Sequence, residues 1–80
     1  MGLHKREVKD RFYHRNIIGE AIRLRRKQAK LTQEQLAELV NLNPKYLGEV
    51  ERGEKIISIE ALLRIAKVLK KPIAAFFPGL

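Results

Sequence analysis

The chain has no cysteine, which excludes disulfide frameworks and thiolate zinc sites and fits a reducing compartment. Its two histidines, His4 and His14, have no carboxylate cluster near them with ligand spacing, so no metal site is expected. There is no glycine-rich phosphate loop and no Ser/His/Asp arrangement. Glu49 and Glu51 stand two apart on a helix and face different ways, so they are not an acid–base pair. No enzyme and no cofactor is expected. No apolar run approaches the ~18 residues of a membrane span. The opening MGLHKREVKDRF lacks the apolar stretch of a signal peptide, and Arg6 stands where a myristoylation signal needs Ser or Thr. A cytoplasmic protein is expected. Repeats, low-complexity segments and long β-branched alternation are also lacking, while apolar residues recur at helical spacing throughout.

What the sequence does have is basic charge. Its 80 residues carry 17 basic and 9 acidic groups, a net of +8. Residues 1–30 hold ten basic and three acidic groups, residues 31–57 three and five, and residues 58–80 four and one. Excess positive charge on so small a domain points to a polyanion, either nucleic acid or an anionic membrane surface. The first core helix has apolar residues at core spacing and no aromatic anchor, which disfavours the membrane. Nucleic acid is the expected partner, although surplus charge also serves plain solubility.

The apolar periodicity predicts five helices. The first core helix covers about 17–29, with Asn16 as its N-cap and Ile18, Ile22 and Ala29 on one face. Residues 1–16 form a basic extension, and residues 17–80 form the domain. Leu3, Val8 and Phe12 could line a short helix in the extension, or it could be a mobile basic arm. The second helix starts at Thr32, where Thr32-Gln33-Glu34-Gln35 matches a capping box. Leu36, Ala37, Leu39 and Val40 are its buried side. Asn41 suits a left-handed helix end. Asn43 and Pro44 then restart the chain as cap and first helical residue. The third helix runs to about Glu51, with Leu47 and Val50 inward and Gly53 as the stop. Ser58 caps the fourth helix and Pro72 closes it. A short fifth helix spans about 73–77.

Two helices joined by this tight turn form a helix-turn-helix over about 33–52. Asn43 and Tyr46 can donate to phosphates or base edges. Lys45 and Glu49, four apart, share one face. Gly48 in mid-helix costs roughly 1 kcal/mol against alanine. That implies either close approach to DNA or close packing against another helix.

The run LTQEQLAELVNLNPKYLGEVERGEKIISIEALLRIAKVLKKPIAAFF, with IGEAIRLRRKQAK before it, resembles the Cro/cI-type (XRE-like) helix-turn-helix domain of bacterial and phage transcription regulators. The resemblance covers about residues 17–77. It implies an all-α, lambda-repressor-like bundle of five helices that binds double-stranded DNA, usually as a homodimer. It makes the third helix the groove-facing one, with Asn43, Pro44, Lys45, Gly48 and Glu49 as the base-reading face. Lys45 suits guanine acceptors and Glu49 a cytosine amino group. The alternative for that pair is a surface i, i+4 salt bridge. Pro44 stands where many relatives carry a polar reader, which implies fewer direct base contacts. Gln33, Tyr46, Arg52 and Lys55 become phosphate contacts. Arg26 and Glu51 match a partly buried salt bridge between the first and third helices. Ile73, Phe76 and Phe77 either cap the core or form a two-fold interface, and the interface is the expectation adopted. A dimer would place its recognition helices about 34 Å apart on an inverted repeat. The expected function is sequence-specific transcription regulation, as a repressor or autoregulator. Phage repressor, restriction-modification controller and antitoxin stay open. The alternative class is a protein-interaction module with weak nonspecific DNA binding.

Overall fold

In the computed structural model the backbone is described for residues 2–79 and the side chains for residues 14–79. The described residues are all-helical. The four α-helices are α1 (Gly2–Gln28), α2 (Gln33–Leu39), α3 (Pro44–Glu51) and α4 (Ile59–Val68). The expected fifth helix is a single 3-10 turn, Ile73–Phe76. No helix among the described residues is long and apolar enough to cross a membrane.

The helix starts follow their capping side chains. The Thr32 hydroxyl accepts from the Gln35 N–H at 3.0 Å, and the Gln35 side chain accepts from the Thr32 N–H at 2.8 Å. Asn43 accepts from the Lys45 N–H at 2.8 Å, with Pro44 at the first helical position. Ser58 accepts from the Ala61 N–H at 3.1 Å. Each side chain satisfies an amide that has no partner inside its helix. Asn16 behaves differently from expectation, because α1 runs straight through it. The expectations for His4, Leu3, Val8 and Phe12 concern side chains outside the described residues.

Each of the four helices ends by one device, a left-handed residue whose amide and the next one bond back into the last turn. Lys30 (φ 61°), Asn41 (φ 56°), Gly53 (φ 76°) and Lys70 (φ 56°) occupy the left-handed position. The returning bonds are Leu31 N–H to Arg26 carbonyl, Leu42 N–H to Ala37, Glu54 N–H to Glu49 and Lys71 N–H to Ala66, at 2.8–3.2 Å. Leu31 and Leu42 follow the left-handed residue and pack against the core, the apolar contact that accompanies this motif. So the break between α2 and α3 needs only four residues, and its angle is fixed by backbone bonds and by Leu42.

The core joins Ile22 of α1, Leu36, Ala37 and Val40 around α2, Leu47 and Val50 of α3, and Leu62, Ile65 and Ala66 of α4. Phe76 closes it and is fully buried. α3 packs on both α1 and α2, and the 3-10 turn packs on α1 and α4. Two apolar expectations fail for geometric reasons. Ala29 is exposed because α1 stops at Gln28. Leu39 is 58% exposed, since 100° per residue carries it to the far side of Leu36 from Ala37.

Candidate nucleic-acid interface

α3 presents its first turn outward while Leu47 and Val50 hold it to the core. Three contacts set its orientation. The first is a buried ion pair. Arg26 donates from Nε to Glu51 Oε2 at 2.8 Å and from Nη2 to Oε1 at 3.0 Å. Its Nη1 donates to the Leu31 carbonyl at 2.8 Å. The fork-to-fork geometry fixes both distance and rotation between α1 and α3. The second contact extends the first, because the Gln33 amide Nε2 donates to Glu51 Oε1 at 3.0 Å. α2 is thereby tied to the same carboxylate. The third is at Tyr46, whose hydroxyl accepts from the Ser58 N–H at 3.1 Å and donates to the Ile56 carbonyl at 3.5 Å. These bonds tie α3 to the segment that leads into α4.

The expected site residues divide accordingly. Asn43, Pro44 and Lys45 are exposed at the tip of α3, and Glu49 is half-buried beside them. Lys45 and Glu49 do not pair. Glu49 binds Lys55 instead, at 3.3 Å, because the chain folds back after Gly53. Arg52 pairs with Glu54 at 2.7 Å. Hydrogen bonding to Arg52 holds the Glu54 carboxyl below its ordinary range, and the same bond raises Arg52. Both cations expected to meet phosphate are therefore held by carboxylates on an exposed surface.

Three expectations need correction. Gly48 is not open to a base. It is buried, and a Cβ placed there would lie 3.1 Å from Arg52 Nη1 and 3.3 Å from Gln33 Oε1. Its missing side chain makes room for the side chains of Arg52 and of Gln33 from α2, which is the close packing against another helix of the two alternatives. Tyr46 is not a free phosphate donor, because its hydroxyl is spent on the Ile56–Ser58 segment. Phe76 belongs to the protomer's own core, which leaves Ile73 and the half-buried Phe77 of the apolar trio at the surface. Other large apolar side chains are exposed: Ile56, Ile59 and Leu63, the last two one turn apart on the outer face of α4. Periodicity had assigned that face no role. Among the described residues no cluster could hold a metal ion.

This geometry can be set beside known proteins. The helix-turn-helix family HTH_3 matches residues 22–76. The chain belongs to that family. It is 37% identical over 59 residues to the control protein C.SmaI of Serratia marcescens, covering 74% of this chain and 70% of that one. It is 40% identical over 58 residues to the immunity repressor of Bacillus phage phi105, covering 72% of this chain and 40% of the repressor. Among solved structures it resembles the restriction-modification controller C.AhdI of Aeromonas hydrophila, with TM-score 0.75 and 33% identity over 79% of this chain and 96% of that one. The clp gene regulator ClgR of Corynebacterium glutamicum is similar at TM-score 0.77 and 34% identity, over 80% and 68%. The HTH_3 chain is a DNA-binding transcription regulator and not an enzyme.

Proposed function

We propose that the protein binds an inverted-repeat operator as a homodimer and acts there as a repressor or autoregulator. The observation that carries this reading is the network Arg26–Glu51–Gln33. It locks α3 against α1 and α2 at 2.8–3.0 Å, so that Asn43, Lys45 and Glu49 are presented on a rigid helix. A major groove admits such a helix, and preset readers lose little freedom on binding. Dimerisation is supported by the exposed Ile73, Ile59 and Leu63, which a two-fold contact would bury from both subunits at once.

The test is selection of bound duplexes from a random-sequence pool at near-physiological salt. The expected outcome is an inverted repeat with half-sites about one helical turn, ~34 Å, apart. No enrichment by the folded protein would move the function to a protein-interaction module. On the recovered site, Lys45→Ala is expected to cost about 1–3 kcal/mol and to relax preference at one base position. An unchanged preference would put the reading face elsewhere.

The Arg52–Glu54 pair gives a second expectation. Duplex binding must exchange a carboxylate for a phosphate at Arg52. Glu54→Gln removes the competitor and should tighten binding to every duplex without changing their ranking. Titrations of specific and random duplexes at one salt concentration measure this. Weaker binding by the variant would show that Glu54 positions Arg52 instead of competing for it.

A further inference from the structure

An open pocket of about 490 Å³ lies between α1 and the helix-turn-helix, lined by Asn16, Glu20, Arg23, Gln33, Glu51 and Arg52. The geometry points to this pocket as the seat of a duplex-backbone phosphate, with Arg23 of α1 as its principal cation. The inference rests on the duplex-binding reading above and adds a residue and an element that reading does not use.

The donors converge from three elements. Gln33 has one amide hydrogen bonded to Glu51 at 3.0 Å. That bond fixes which end of the amide is the nitrogen, and the second hydrogen stays available. Arg52 Nη1 and the Gln33 amide oxygen both lie over the bare face of Gly48, at 3.1 and 3.3 Å from where a Cβ would stand, so the small residue lets both side chains sit there. Gly48 is thus the notch in which the two side chains meet. Arg23 is exposed and makes no ion pair or hydrogen bond among the described residues. An unpaired guanidinium beside a fixed amide donor suits an oxyanion that can accept from both.

The two carboxylates in the lining must also be accounted for. Glu51 is already matched by Arg26, at 2.8 and 3.0 Å. Glu20 is exposed, one turn before Arg23 on α1, and has water to screen it. Glu54 holds Arg52, but both side chains are more than half exposed, so the pair yields readily to a phosphate. Arg23 forms no ion pair with Glu20 or with any other described carboxylate, and it is therefore the residue whose loss should be read most cleanly.

The test uses the full chain and a labelled random-sequence duplex, so that it does not depend on any operator being found. Affinity is measured between about 50 and 200 mM salt, and the slope of log K against log salt counts phosphates neutralised. Arg23→Gln is expected to make the slope shallower by about 0.9, the value for one phosphate contact. Arg23→Lys keeps the charge and should restore most of the slope. Lys67→Gln removes the same charge from α4, outside the pocket, and should leave the slope alone. An unchanged slope in Arg23→Gln overturns the proposal. An equal loss in Lys67→Gln also overturns it, since the effect would then be bulk charge. Inorganic phosphate at matched ionic strength should compete no better with wild type than with Arg23→Gln. Selective competition would reassign the pocket to free phosphate and overturn the duplex assignment. If the wild-type protein shows no salt-dependent binding at all, the duplex-binding reading itself fails, and the wild-type arm alone reveals that.

Discussion

Glu51→Ala is expected to destabilise the protein by about 3–5 kcal/mol, the cost of breaking a buried ion pair from one side. The Glu51 side chain is 1% exposed and that of Arg26 9%. Removing the carboxylate leaves the Arg26 guanidinium in the interior with one remaining acceptor, the Leu31 carbonyl. It also strips Gln33 of its anchor. A domain of this size has a total stability of roughly 4–12 kcal/mol at ~0.05–0.15 kcal/mol per residue. The variant should therefore lie near the edge of folding. At about 4–8 °C per kcal/mol, its Tm should fall by more than ~12 °C, as followed by circular dichroism.

The reverse experiment separates stability from function. Arg26→Met with Glu51→Leu removes both charges together and fills the space with apolar atoms. Buried pairs replaced this way often lose nothing, so the double variant should recover most of the Tm. DNA binding should not recover with it. Gln33 would have no partner fixing its amide, and α3 would lose the bidentate lock on its rotation. A double variant that is stable and binds duplex as tightly as wild type would show that the network is a packing device only. A single variant that loses less than about 1 kcal/mol would contradict the buried-pair argument directly.

Local features were legible in the sequence because each is a short-range rule. The Thr32/Gln35 box, the Asn43-Pro44 restart, the Ser58 cap and the Gly53 stop are all determined by residues within a turn of one another. Asn41 belongs with them, since its side chain lowers the penalty for positive φ. Lys30 and Lys70 were not legible. Lysine has no special tolerance for a left-handed backbone, and only the returning bonds, the half-buried Leu31 and the buried Leu69 beside them explain the conformation. The helical-face rule found most of the core but misplaced Ala29, which lies past the end of α1, and Leu39, which the helical rotation carries off the buried face of α2. The site was legible in its elements and less so in its contacts. Residue type cannot say that Glu49 reaches forward to Lys55 and not back to Lys45. Nor can it say that the Tyr46 hydroxyl is used by Ser58. Such pairings depend on where the chain goes after α3. Phe76 shows the same limit, because an apolar residue near a terminus suits a core and an interface equally well. The exposed Ile59 and Leu63 lie among the other apolar residues of α4, and apolar residue type alone does not separate its outer face from its inner.

Gly19 escaped the sequence reading altogether, and it carries the other large expected effect. It sits within α1, where an exposed glycine would be improved by alanine by roughly 0.5–1 kcal/mol. Here the sign should reverse. A Cβ on Gly19 would meet the Val50 carbonyl oxygen in hard overlap and come within 2.9 Å of the Glu51 carbonyl oxygen. These are backbone atoms of the last turn of α3, and they cannot swing aside as a side chain can. Relief requires α1 and α3 to part, which strains the Arg26–Glu51 pair next to the contact. Overpacking of a rigid site costs about 1–3 kcal/mol and occasionally more, so Gly19→Ala should lose about 2 kcal/mol net of the helical gain. Gly48→Ala is the matched control. It has the same intrinsic gain, but the new methyl meets only the movable ends of Arg52 and Gln33. Its stability should stay within about 1 kcal/mol of wild type. Chemical denaturation of the two variants side by side decides the matter. If both alanines stabilise, the approach of α1 to α3 is looser than the structure has it. If only Gly19→Ala destabilises, the close crossing of these two helices is what holds α3 at its angle, and a missing side chain on α1 matters as much to that packing as the side chains on α3.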